Sequence, residues 1–344
     1  MARAKRAQRD ARNLQARAAA QRNGVAHTQL SDLQRARILA AMLDVSCERG
    51  AANVTVAHVV ERSGVSRRTF YEQFTDREDC FLAAFEQALE YAAERVVPAY
   101  ESEKGWRERM RAALSGFLSF LEAEPVIGRM LIVESFGGGP ATMNRRNESI
   151  ALITHAIDEG RGEAKASLTL PPLTAEGVVG GVLAVIHSRL VEGHEKALVE
   201  LTSPLMSMIV LPYLGPAAAR RELERPAPAP VASAGKTTLL ADPFKAAGMR
   251  LTYRTVRVLM ALAQHPGASN RVVADTAEIR DQGQISKLLA RLQRAGMVTN
   301  TGLGPGQGAP NAWTLTESGR QVVDSVRAHT EGRREGAHEG ARER

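Results

Sequence analysis

The sequence predicts a mainly all-α chain: a helical N-terminal part, then a smaller helical domain carrying one short two-stranded hairpin. Three observations carry this. From Ser31 to Leu214 apolar residues recur three and four apart, and no stretch shows the strict alternation of a half-buried strand. Glycine and proline punctuate that pattern at Pro98, Pro125, Gly137–Pro140, Pro171–Pro172 and Pro212. Only after Gly296 does the pattern change. Met297-Val298-Thr299 and Ala312-Trp313-Thr314-Leu315 read as short strands around a loop holding Gly302, Gly304, Gly306 and Gly308.

Each element follows in order. Residues 1–30 hold seven basic side chains against the single acid Asp10, so most of the net charge of +7 lies in this arm. A tract of Ala, Arg and Gln builds no core, and it is expected to be disordered. It either follows a polyanion backbone or merely solubilises the chain. Ser31-x-x-Gln34 is a capping box for a first helix, which ends at Gly50 and buries Ile38, Met42 and Val45. Thr55 caps a second helix with Val56, Val59 and Val60 on its inner face. Ser63-Gly64 breaks it, and Gly64 tolerates the positive φ of a tight turn. Val65 plugs the turn and Ser66 caps a third helix, whose Phe70 and Phe74 share a buried face. Arg67, Arg68, Thr69 and Tyr71 are left to face outward. Two helices so joined make a helix-turn-helix, whose second helix reads the major groove with its N-terminal residues. Thr75-x-x-Glu78 then caps a helix running to about Val97, before Pro98.

This stretch resembles the TetR family of one-component bacterial repressors. The resemblance rests on Arg35-Ala-Arg-Ile-Leu39, Ala51-Ala-Asn-Val-Thr-Val56, Ser63-Gly-Val-Ser66, Thr69-Phe-Tyr-Glu-Gln-Phe74 and Asp76-Arg-Glu-Asp79. Arg77 stands where the family usually carries lysine. The resemblance implies a homodimer whose helical domain binds a small effector and so controls DNA affinity, with repression the default. Arg67, Arg68 and Thr69 then have base edges as their targets, because arginine suits guanine and threonine suits the thymine methyl. Tyr71 and Arg77 suit phosphates. Thr55 and Ser66, at the helix caps, complete the expected DNA-binding set. The plain alternative is a solvated helix start.

Helices are expected at Trp106–Glu122, Pro125–Ser135, Thr142–Gly160, Leu173–Glu192 and Lys196–Leu214. The expected divisions are a helix-turn-helix over 31–78 and an effector-binding and dimerisation domain over 79–216. A Pro/Ala-rich linker over 217–248, a winged-helix domain over 249–328 and a disordered tail over 329–344 follow. Trp106, Met110, Phe117, Met130, Phe136, Met143 and His187 are candidate pocket residues for an apolar or amphipathic effector, although a plain core needs the same residue types. The small residues of the last two helices suit close packing, and the resemblance assigns those helices to the dimer interface.

In the C-terminal domain Thr252–Gln264 and Asn270–Ala277 read as helices, and Asp281-x-x-Gln284 caps a third with Ile285, Leu288, Leu289 and Leu292 inward. With the strands and a helix from Thr316 this is similar to MarR-type winged-helix domains, though with few cations at the wing tip. Arg280, Gln282, Gln284, Ser286, Lys287 and Arg291 form a candidate second DNA-reading face; winged helices also serve as protein contacts. No catalytic set assembles, so an enzyme is not expected, nor a cofactor or metal. Gly235-Lys236-Thr237-Thr238 mimics a P-loop ending, but Pro230 replaces the required first glycine. Cys47 and Cys80 show no pairing pattern, no signal peptide is evident, and the longest apolar run, Val178–Ile186, is well short of the ~20 residues of a membrane span. A cytoplasmic chain with no membrane partner is the expectation.

Overall fold

The computed structural model describes residues 31–164, 170–192, 197–227, 253–279, 281–302 and 311–324. The basic arm, most of the linker, the tip of the glycine-rich loop and the terminal tail lie outside the described residues. By contacts the chain divides into two units, which take in the described residues of Met1–Arg37, Gly64–Gln73 and Ala241–Arg344 on one side and of Ile38–Ser63 and Phe74–Leu240 on the other.

Helix α1 (31–49) buries Ile38, Met42 and Val45 and stops at Gly50. A 3-10 turn, Ala51–Asn53, leads to α2 (Val56–Ser63). Gly64 takes a φ of +68°, and α3 (Arg67–Gln73) follows after three residues. Helix α4 (Arg77–Glu101) packs on α5 (Trp106–Ala123). Phe81, Phe85, Leu118, Phe120 and Leu121 are buried along these two helices. Helix α6 (Pro125–Ile132), a 3-10 turn Glu134–Gly137, α7 (Pro140–Asp158), α8 (Thr174–Glu192), α9 (Thr202–Leu214) and α10 (Pro216–Glu224) complete this part.

Several boundaries differ from the sequence reading. Ser31 is helical, and its hydroxyl accepts from Gln73 Nε2 at 2.6 Å instead of closing a capping box. The cap of α4 falls one residue later than expected. Asp76 accepts from Asp79 N at 2.9 Å, and Thr75 N donates to Asp79 Oδ2 at 2.8 Å, which makes a reciprocal box with an aspartate at each end. Two carboxylates at the positive end of a helix outcompete a hydroxyl. Pro98 and Pro212 lie inside α4 and α9, within four residues of the C-terminal end of each, where little helix follows the lost N–H. The stretch from 217 expected as linker is helical through Glu224. Gly215-Pro216 starts α10, and Ala218, Ala219 and Glu222 are buried.

The C-terminal domain consists of α11 (Tyr253–Gln264), α12 (Asn270–Thr276), α13 (Gln282–Arg294), strands β1 (Val298–Asn300) and β2 (Trp313–Leu315), and α14 (317–324). The strands pair antiparallel, with Val298 opposite Leu315 and Asn300 opposite Trp313. Leu259, Leu262, Val273, Ile285, Leu289, Leu292 and Trp313 form the core, and Leu288 packs against it half-buried. The Asn270 side chain ties three elements together. Its Nδ2 donates to Ser286 Oγ at 3.0 Å, and its Oδ1 accepts from Trp313 Nε1 at 2.6 Å and Asn311 Nδ2 at 3.1 Å.

Candidate nucleic-acid interface

Local chemistry fixes α3. Ser66 Oγ accepts from Thr69 N at 3.0 Å and pairs with Thr69 Oγ1 at 2.9 Å, the N-cap the sequence called for. Phe70 is fully buried, so the opposite side of the helix is solvated. There Arg67 is exposed, and the Arg68 side chain is 89% exposed while its Nε holds Glu72 at 2.8 Å, one turn on. Tyr71 is exposed and stands edge-on to Phe70, with ring centroids 5.4 Å apart. Helix α1 holds the far end of α3: besides the Gln73–Ser31 bond, Arg35 Nη1 donates to the Gln73 carbonyl at 3.5 Å. The C-terminal end of this short helix is thereby tied to α1, with two arginines, a half-buried threonine and a tyrosine at its open side.

Thr55 caps α2 reciprocally, with His58 N donating to its Oγ1 and its own N donating to His58 Nδ1, both at 3.3 Å. Arg77, expected on a phosphate, turns part of its fork inward. Nη1 donates to the Ala51 carbonyl at 2.7 Å and Nη2 reaches Glu78 at 3.3 Å, leaving the side chain 22% exposed. It is a strut between α4 and the turn before α2. Sequence reading also passed over Arg62, which bridges Glu48 and Asp44 and ties α2 to α1; the Glu48 hydrogen bond raises its pKa.

On α13, Asp281 Oδ1 accepts from Gly283 N and Gln284 N at 2.8 and 3.2 Å. Gln284 Oε1 accepts from Arg254, and Ser286 is held by Asn270, so two of the six expected readers are engaged within the domain. Lys287 and Arg291 lie one turn apart, exposed. Arg280 and the Gln282 side chain lie outside the described residues.

The candidate pocket residues separate. Trp106, Met110 and Met130 are buried core; Trp106 Nε1 donates to the Ala156 carbonyl at 3.0 Å, and its ring meets Tyr213 edge-on at 5.2 Å. Phe117 and Met143 are half-buried. Phe136 and His187 do come together, with ring centroids 6.3 Å apart, and Arg146 lies 4.4 Å over Phe136. Burial lowers the Arg146 pKa. Sequence reading missed this arginine, since nothing in its spacing marks it off from an exposed helical cation.

Helix α8 is long and apolar enough to cross a membrane by length and composition, with mean hydropathy 1.3 over a stretch only 22% buried. Leu173, Met208 and Leu211 are exposed beside it and, with Gly177 and Val178, line an open groove of about 480 Å³.

Residues 38–84, from within α1 to the first turns of α4, match the family model for bacterial regulatory proteins of the tetR family. A similar relative is the HTH-type transcriptional activator FasR of Mycolicibacterium smegmatis, 28% identical over 104 residues. That match takes in 30% of this chain and 47% of the relative, less than half its length. Among solved structures, the transcriptional regulator FadR from Bacillus subtilis in complex with stearoyl-CoA is 20% identical over 51% of this chain and 96% of that one, with a TM-score of 0.44. A TetR-like transcriptional regulator from Rhodococcus sp. RHA1 is 22% identical over 52% and 94%, with a TM-score of 0.41.

Proposed function

We propose that this chain is a ligand-responsive, homodimeric transcriptional regulator that binds operator DNA through α3 and leaves it when a small effector occupies the helical body. The observation that carries this is the buried Phe70 beneath an open face of Arg67, Arg68, Thr69 and Tyr71, within the segment that matches the tetR family. Arg67, Arg68 and Thr69 are assigned to bases, Tyr71 and the outer donors of Arg77 to phosphates. The exposed apolar surface of α8 and α9 is assigned to the second copy of the chain, because a monomer rarely leaves so much contiguous apolar area to water. Two heads so joined address half-sites about 34–36 Å apart. The effector is assigned to the region of Phe136, His187 and Arg146, which joins an aromatic surface to a cation and suits an amphipathic anion. FadR, named with stearoyl-CoA, illustrates that ligand class. By linkage, the effector and the operator weaken one another by the same factor.

Repression is the expected sign, although the relative FasR is named an activator; a promoter–reporter assay reads the sign directly. The C-terminal domain is assigned as a winged helix. The engagement of Gln284 with Arg254 and of Ser286 with Asn270 favours a protein-contact role for it over a second base-reading role. The test is fluorescence anisotropy on a duplex selected by the full-length protein. Substituting Arg67 and Thr69 together by alanine abolishes preference for the selected site while weak, salt-sensitive binding to any duplex remains. Unchanged preference would refute the assignment.

A further inference from the structure

The short segment Glu134–Gly139, between α6 and α7, is built against the turn that introduces the helix-turn-helix. Glu134 is buried at 6% exposure, and its carboxylate is shared between two partners. Oε2 accepts from Ala51 N at 2.8 Å, and Oε1 meets Arg129 Nε at 3.1 Å. The carbonyl of the same Ala51 accepts from Arg77 Nη1 at 2.7 Å, and Arg77 in turn reaches Glu78. Beyond Ser135 and Phe136, the glycines at 137, 138 and 139 stand close against their neighbours. A Cβ on Gly137 would lie 2.7 Å from Ala52 N and 2.9 Å from Ala51 Cβ, and one on Gly138 2.3 Å from Phe81 Cε1. One on Gly139 would come within 2.4 Å of Glu78 Oε2. A chain of contacts thus runs from Glu134 to Ala51, from Ala51 to Arg77 and from Arg77 to Glu78.

We infer that Glu134 is a positioning residue for DNA recognition: it pins the Ala51–Asn53 turn to the helical body, and so sets the direction in which the helix-turn-helix leaves it. A carboxylate taken out of water needs the partners it has here, and the backbone N–H it accepts would otherwise be left unpaired at a buried turn. Ordinary packing could have held this turn with an apolar side chain. The close approach of Gly137 to Ala51 and Ala52 adds a second constraint, of shape, on the same turn. In a dimer, an error in that direction doubles into the separation of the two heads, so the pin acts on half-site spacing and leaves base contacts alone.

This inference rests on the proposed dimeric DNA-binding reading, and one experiment tests the two separately. Full-length wild type, Glu134→Ala, Glu134→Gln and Gly137→Ala each select from random duplex DNA, with thermal unfolding measured in parallel. Wild type is expected to select paired half-sites at one spacing; if it selects no motif, the proposed function fails and takes the inference with it. Glu134→Ala and Gly137→Ala are expected to select the same half-site over a spread of spacings. Each binds the wild-type duplex about tenfold more weakly, the equivalent of one lost charge-assisted hydrogen bond. Glu134→Gln keeps an acceptor for Ala51 N–H and should fall between, which preserves the test if the alanine variant does not fold. If the variants melt earlier yet retain the wild-type spacing, Glu134 is a structural residue only and the inference is overturned.

Discussion

Replacing Glu222 by alanine should destabilise the helical body far more than a surface substitution on a short terminal helix would. Glu222 lies in α10 with its side chain 2% exposed, and its Oε2 is 2.8 Å from Nη1 of Arg111, itself 6% exposed. Arg107 approaches the other oxygen at 3.5 Å. Removing the carboxylate leaves the Arg111 charge buried, and breaking such a pair from one side costs about 3–5 kcal/mol. Arg111 keeps the Ser203 hydroxyl at 3.2 Å and the Pro226 carbonyl at 2.8 Å, which places the expected loss near the lower end, about 3 kcal/mol. For a unit of this size that is a fall in Tm of roughly 6–12 °C. The measurement is thermal and urea unfolding at one fixed protein concentration, since a dimer's stability depends on it. Replacing both partners, Arg111→Met with Glu222→Leu, should recover most of the loss, because an apolar pair of similar volume carries no desolvation penalty. A Glu222→Ala variant within about 1 kcal/mol of wild type would mean that Arg111 is not left as an uncompensated buried charge, since a surface change away from such features typically has an effect of ±0.5 kcal/mol.

Other outcomes follow from the same geometry. Arg67→Ala should weaken the selected duplex about 5- to 150-fold and relax preference at one base position, whereas Tyr71→Phe should weaken all duplexes evenly; competition binding separates the two. Ser66→Ala removes the α3 cap and should lower stability by about 1 kcal/mol in denaturant unfolding. Burial, then the nearby Glu134 charge, pushes the Cys47 thiol from 9.0 up to about 12. The fold therefore favours the neutral thiol, and its contribution to stability is full below about pH 9 and fades as pH rises towards 12. At pH 8 a thiol reagent should find Cys47 silent until the protein unfolds. Leu211→Asp, in the open groove beside α8, should convert a dimer to monomer in sedimentation, with two-half-site DNA binding lost alongside.

The helix-turn-helix was legible because its information is local. Val56 and Val59, Gly64, the Ser66 cap and the Phe70–Phe74 spacing specify two helices and the turn between them without reference to the rest of the chain. Asp281 and the Ile285–Leu289–Leu292 stripe did the same for α13. Helix α10 was hidden because Ala and Pro suggest a linker until Glu222 is seen to have a buried partner 111 residues away. Glu134 was hidden for the same reason, since its partners, Ala51 N–H and Arg129, are a matter of tertiary approach and leave no periodic trace. The pocket candidates divided because a Trp or Met stripe at helical spacing fits a core as well as a cavity. Only the geometry put Phe136 and His187 beside Arg146 and sent Trp106 into the core.

In the proposed function the open face of α3 reads DNA sequence. Its most direct test is the ratio of dissociation constants of the full-length protein for its selected duplex and for a scrambled duplex, at about 150 mM salt. A sequence-reading face gives a ratio of roughly 10³ or more, the usual margin between specific and non-specific binding. A ratio within about tenfold, with both affinities falling together as salt rises, would reduce the arginines of α3 to phosphate contacts and rule out sequence reading by this face.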